Sequence, residues 1–255
     1  MLQVLLFAIF SFLPLVIAQG APVINVGYAK IIGVQNTTSG LNQYHGIYYA
    51  QPPIGELRWR KPRPIEQIMT NPNQVINATT IGPSCWNGVP DWSPHGASIV
   101  IPTGTTSSSE NCLLLDVFTP INPVAPSLPV LVEIHGGGYT EGSAQSVRPD
   151  SMMYRANGTF VWVSVQYRLG LFGFLAGRDV FDNGDLNQGL LDQRLALEWV
   201  QRHISAFGGD PNKVTITGGS AGGGTSHPSL LIRLGKLPDD GIRRRRLSSI
   251  PSSAL

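Results

Sequence analysis

Val214-Thr215-Ile216-Thr217-Gly218-Gly219-Ser220-Ala221-Gly222 is the stretch that decides the reading of this chain. Four residues of β-branched character read as a strand, and a Gly-x-Ser-x-Gly turn follows them. A serine on a sharp strand-to-helix turn needs glycine on both sides, because the backbone is strained there and a substrate must approach it. A plain glycine-rich turn has the same composition, so the pattern alone leaves both readings open. In hydrolases built on such an elbow, the acid and the histidine follow the serine in that order. Ser220 lies 35 residues before Leu255 (255 − 220). The only later histidine is His227, and the only later acids are Asp239 and Asp240, in the reverse order. The stretch therefore predicts a nucleophile without evident partners downstream.

Working outward, the strand Val130 to His135 runs directly into His135-Gly136-Gly137-Gly138. Consecutive glycines after a strand can aim N–H groups at a developing oxyanion, although a strand-end loop reads the same way. The two motifs in this order favour the first reading. Leu113 to Thr119 and Phe160 to Tyr167 also read as strands, and their near-continuous apolar runs predict a parallel sheet covered on both faces. Asp185 to Phe207 predicts a helix, with Leu191, Leu195 and Trp199 on one face and an Asp185/Gln188 capping box. Gly208, Gly209 and Pro211 end it. Residues 23–34 predict short strands with a turn near Gly27. Leu41 to Pro64 predicts an ordered surface loop, and 83–109 a second loop. Strand, helix and strand ahead of Ser220 make an α/β unit.

With 29 Gly, 20 Pro and 13% charged residues, the composition favours a loop-rich globular domain over a bundle or a disordered chain. The net charge of +2 points to no special partner and is raised by Arg243 to Arg246. Residues 1–18 predict an export signal, apolar from Leu5 to Ile17 with Ala18 before the cut, and too short and Pro-broken for a stable membrane span. Export predicts that Cys85 and Cys112 form a disulfide, two free thiols being the alternative; no ligand spacing suggests a metal. Asn36, Asn77 and Asn157 head glycosylation sequons.

Beyond these motifs, Gly46-Ile47-Tyr48-Tyr49-Ala50-Gln51-Pro52-Pro53, Ser109-Glu110-Asn111-Cys112-Leu113, Tyr167-Arg168-Leu169-Gly170 and Gly189-Leu190-Leu191-Asp192-Gln193 stand in order before Phe207-Gly208-Gly209-Asp210-Pro211 and the Ser220 elbow. Over about residues 22–225 the chain resembles the N-terminal half of a type B carboxylesterase, the family that includes cholinesterases and extracellular fungal lipases. The resemblance implies an α/β-hydrolase fold, cut short after the elbow, and a secreted ester hydrolase acting through an acyl-enzyme on a small-molecule or lipid ester. It implies no cofactor, no metal and no nucleic-acid partner. Ser220 would be the nucleophile, and the N–H groups of Gly137, Gly138 and Ala221 the oxyanion hole. Cys85 and Cys112 match the family's first disulfide, and Arg58–Glu110 and Arg168–Asp192 its buried ion pairs.

The chain also departs from that pattern. Gly219 replaces the glutamate that many relatives carry before the serine, which argues against a cholinesterase-like choice of cationic substrate. Glu133 lies inside an apolar strand with no partner evident. After Thr225 the resemblance stops: Pro228 interrupts the elbow helix, and the arginine run in an exported chain reads as a shifted frame, a retained intron or a splice form. The expected organisation is a signal at 1–18, a partial hydrolase domain at 19–225, and a divergent, disordered tail at 226–255. Val214 to Thr217 would then be an exposed sheet edge open to self-association. His45, His95 and His203 read as packing or surface residues. The chain is expected to be an inactive form of the hydrolase, with a non-catalytic secreted binding module as the alternative.

Overall fold

A computed structural model describes residues 21–88 and 107–225, and the backbone of 242–243. The predicted export signal, His95, His227, Pro228, Asp239 and Asp240 lie outside the described residues, as do most of the 83–109 loop and of the 226–255 tail. A small sheet has the order β1 (Val23–Asn25), β2 (Lys30–Ile32), β5 (Val75–Asn77). The main sheet also contains β3 (Val34–Asn36), β4 (Leu41–Tyr48), β6 (Leu114–Pro120), β7 (Leu128–Ile134), β8 (Val161–Val165), β9 (Gly209–Thr217) and β10 (Ile242–Arg243). Its order is β10-β9-β7-β8-β6-β4-β3. Helix α1 (Asp150–Arg155) lies in the crossover from β7 to β8; α2 (Gly170–Phe174), α3 (Arg178–Asn183) and α4 (Gln188–His203) lie between β8 and β9, and α5 (Ser220–Thr225) follows β9.

The sheet is mixed, not parallel throughout. β10, β9, β7 and β8 run parallel, while β6, β4 and β3 continue antiparallel from β8. All seven residues of β6 are buried, so its continuous apolar run reports cover on both faces and not strand direction. Leu41–Tyr48 is a strand instead of the expected surface loop, with Leu41, Tyr44 and Ile47 buried. Its alternation is broken at Gly46, at φ +66, where the register with β6 shifts between Tyr44 and Ile47. That bulge hid the period-2 pattern. Nor is β9 the open edge that was expected: β10 pairs with it at Val214 and Thr215.

Helix α4 packs against the core more completely than a single apolar stripe suggests, ten of its sixteen residues being buried. Trp199 donates through Nε1 to Tyr28 Oη at 3.0 Å, and Phe207 meets Tyr44 edge-on at 5.1 Å. The predicted capping box does not form. Asn187, left-handed at φ 57, precedes the helix, and Gln188 Nε2 donates to the Asp185 carbonyl instead of to a cap. Left-handed Gly208, at φ 78, ends the short 3-10 turn at Ile204–Phe207 that follows α4. Among the described residues no helix is long and apolar enough to cross a membrane.

Candidate active site

Strand β7 has β8 on one side and β9 on the other, although it precedes both in the chain. Two crossovers leaving in opposite directions open a crevice at the C-terminal ends of the strands, where open α/β sheets bind ligands. The two glycine-rich motifs sit there: β7 ends into His135-Gly136-Gly137-Gly138, and β9 into Gly218-Gly219-Ser220.

Ser220 is exposed and holds φ 50, a left-handed conformation that costs a non-glycine residue on the order of 1–3 kcal/mol. Close backbone approach on both sides keeps it there. A side chain at Gly136 would fall 3.2 Å from Ser220 Cβ and 2.7 Å from the Gly219 carbonyl, and one at Gly222 would overlap the Ile134 carbonyl. Thr225 Oγ1 closes α5 by donating to the Gly222 carbonyl at 2.9 Å.

The facing loop is strongly bent, with Gly137 at φ 113, Gly138 at φ 60 and Tyr139 at φ 64. Thr140 N and Glu141 N both donate to the Gly137 carbonyl at 3.0 Å. Among the described residues no acceptor takes the N–H groups of Gly137 and Gly138. Ala221 N lies in the first turn of α5, where a helix has no acceptor for it. These three donors and Ser220 are thus gathered at one end of the sheet.

His135 lies under the loop. Its Nδ1 pairs with the Gly136 carbonyl at 2.8 Å, and its ring stacks on Tyr167 at 4.4 Å. Tyr167 Oη donates to the His135 carbonyl at 2.8 Å. Burial pushes the imidazole down to about 4, against the pull of the Gly136 carbonyl, so it is neutral near pH 7. Among the described residues no hydrogen bond joins Ser220 to a histidine: His45 faces Asp116 and Gln43, and His203 faces Glu66.

Cys85 and Cys112 are bonded at 2.01 Å. Arg168 and Asp192 form a buried bidentate pair at 2.7 and 2.8 Å. Arg58 and Glu110 pair at 2.6 and 2.7 Å, but this pair is not buried as expected, the side chains being 40% and 20% exposed. Asn77 and Asn157 are exposed and Asn36 half-buried. Glu133 has a neighbour that the sequence did not reveal: it sits opposite Thr217 in the β7–β9 register, and the Thr217 side chain favours its charged form against the effect of burial. Tyr167, read in the sequence only as part of a family motif, and Asn87, which carried no sequence signal, hold the glycine loop from outside through contacts that join segments far apart in the chain.

Residues 20–237 match the carboxylesterase family. The chain is 39% identical over 201 residues to the para-nitrobenzyl esterase of Bacillus subtilis strain 168, covering 79% of this chain and 38% of that protein. It is 41% identical over 183 residues to the phenmedipham hydrolase of Pseudarthrobacter oxydans, covering 72% of this chain and 34% of that protein. The crystal structure of Aspergillus niger EstA superposes on 81% of this chain and 37% of its own, at a TM-score of 0.68 and 41% identity. The chain therefore spans well under half the length of the curated relatives it matches. Its solved neighbours are carboxylesterases of the α/β-hydrolase fold, and over the matched residues the chain belongs to the carboxylesterase family.

Proposed function

We propose that the chain carries the nucleophile and oxyanion hole of a secreted carboxylic-ester hydrolase. Ser220 Oγ attacks the ester carbonyl and gives up its proton to a base, and the tetrahedral oxyanion takes N–H donors from Gly137, Gly138 and Ala221. Collapse expels the alcohol and leaves an acyl-serine, which water then cleaves to the acid and free Ser220. The observation that carries this reading is the close approach at Gly136, where an added Cβ would fall 2.7 Å from the Gly219 carbonyl and 3.2 Å from Ser220 Cβ, which sets the glycine loop near a strained, exposed serine. Gly219 stands where many relatives carry a glutamate before the serine, so a cholinesterase-like choice of cationic substrate is not supported.

A serine hydroxyl is a weak nucleophile near neutral pH without a base. Among the described residues no histidine is hydrogen-bonded to Ser220, so on this reading the base lies outside them. The 255-residue chain is expected to show essentially no turnover of short aryl esters. A product carrying the family-length downstream frame of the same locus is expected to hydrolyse them and to lose this with Ser220→Ala. Ser220-dependent turnover by the short chain would overturn its inactivity. An inert longer product would overturn the hydrolase reading and favour a binding module.

Export is the second part of the proposal, supported by the apolar 1–18 segment and the Cys85–Cys112 bridge. N-terminal sequencing of secreted material is expected to start near Gln19, with a glycosidase-sensitive mass at one or more of Asn36, Asn77 and Asn157. An intact Met1 in cytosolic protein would count against it.

A further inference from the structure

Segment 85–88 grips the glycine loop in a way that the elbow motif does not require. Asn87 lies two residues after bridged Cys85. Its Oδ1 accepts from Gly142 N at 2.5 Å, and its Nδ2 donates to the Cys85 carbonyl at 2.7 Å. Beside it, Gly88 N donates to the Thr140 carbonyl at 2.8 Å. Gly142, at φ 110, presses into the start of the loop: a side chain there would lie 2.5 Å from both the Gly136 carbonyl and His135 Nδ1. Gly136 in turn abuts Ser220. Hydrogen bonds from the disulfide through Asn87 to Gly142, and then close approaches at Gly142 and Gly136 that leave no room for a side chain, therefore lead to the serine. Gln166 braces both sides, accepting from Ala144 N at 3.2 Å and donating to the Pro83 carbonyl at 3.4 Å.

The loop needs such a brace. Four of its residues, Gly137, Gly138, Tyr139 and Gly142, hold positive φ, and it belongs to no strand or helix that would fix it. Oxyanion donors act only when aimed at the place where the oxyanion will form. A displacement of about 1 Å in such a site can cost about a hundredfold in rate.

We propose that Asn87, anchored by the Cys85–Cys112 bridge, is a positioning residue that aims the Gly137 and Gly138 N–H groups. This rests on the reading of Ser220 as nucleophile. In a longer product that hydrolyses esters, Asn87→Ala is expected to lower kcat by about tenfold or more, with KM within about twofold. Affinity for a trifluoromethyl ketone, whose hemiketal oxyanion occupies the hole, should fall in parallel with kcat. Asn87→Asp retains the acceptor for Gly142 N and should recover most of the loss. Unchanged kcat in Asn87→Ala, in an enzyme that Ser220→Ala inactivates, would overturn the positioning role and leave the nucleophile reading intact. Loss of thermal stability without recovery by Asn87→Asp would reduce Asn87 to a structural residue and overturn it too. A second measurement needs no turnover. In the 255-residue chain, amide exchange across 136–142 should quicken about tenfold on Asn87→Ala and on reduction of the wild-type bridge. Unchanged exchange in both would overturn the clamp whether or not any form hydrolyses esters.

Discussion

At the residue scale, Glu133 shows what one carboxylate inside a strand does to pH dependence. Burial pushes its carboxyl up from 4.5 to about 7, and the neighbouring Thr217 side chain pulls the other way without overcoming it. The folded value lies above the unfolded one, so the folded state binds the extra proton between about 4.5 and 7. The contribution of Glu133 to stability is therefore fully present below that window, falls as pH rises through it, and stays lost above it. At about 1.4 kcal/mol per pH unit the cost at high pH is on the order of 3 kcal/mol. Glu133→Gln is expected to flatten the stability profile across the window and to raise stability at pH 8. Melting curves from pH 4.5 to 8 check this, and parallel profiles for the two proteins would refute it. Ser220 shows how far a residue can be read alone. Its nucleophile motif was legible in five letters, whereas the left-handed φ and the backbone contacts that hold it are properties of two strands packed side by side.

At the element scale, α4 depends on a buried charge. Asp192 accepts from Arg168 Nε, Nη2 and backbone N, which ties the helix to the end of β8. Breaking one side of such a pair leaves an uncompensated buried charge and costs about 3–5 kcal/mol. Asp192→Ala is expected to lose about that much in urea denaturation. The Arg58–Glu110 pair is substantially exposed, so Glu110→Ala should cost less than about 1 kcal/mol. Equal losses in the two variants would contradict the difference in burial. Helix α4 was legible from Leu195 and Trp199 because a 3.6-residue period survives wherever one face meets a core. Its start was not, because Asn187 adopts a left-handed φ that no capping pattern announces. Strand β5 and helix α1 went unread for a related reason: they span three and six residues, shorter than any period needs to declare itself.

For the whole molecule, the Cys85–Cys112 bridge closes a 27-residue separation and stabilises chiefly by restricting the unfolded chain. Cys85→Ser with Cys112→Ser is expected to lower stability by roughly 3.5 kcal/mol in the chain-entropy picture. Equilibrium unfolding of oxidised wild type against the double variant measures it, and a loss under about 1 kcal/mol would mean that the unfolded chain is already constrained there. The switch point at β7, which has β8 on one side and β9 on the other, is the other property of this scale. It places His135-Gly136-Gly137-Gly138 and Ser220, which are roughly 80 residues apart, at one crevice.

The amino-acid sequence by itself determined the strand cores, helix α4, the elbow serine and the glycine loop, because each is written in local periodicity or in residues that a tight turn demands. It also determined the family, through short motifs kept in order. Only the tertiary structure decided strand direction, since burial on both faces makes an apolar run whichever way its neighbours point. It alone placed a strand at Leu41–Tyr48, where a bulge at Gly46 breaks the alternation. It alone set Glu133 opposite Thr217 and joined Asn87 to Gly142, because contacts between distant segments depend on how the strands and loops meet in space, and a linear pattern carries no record of that meeting.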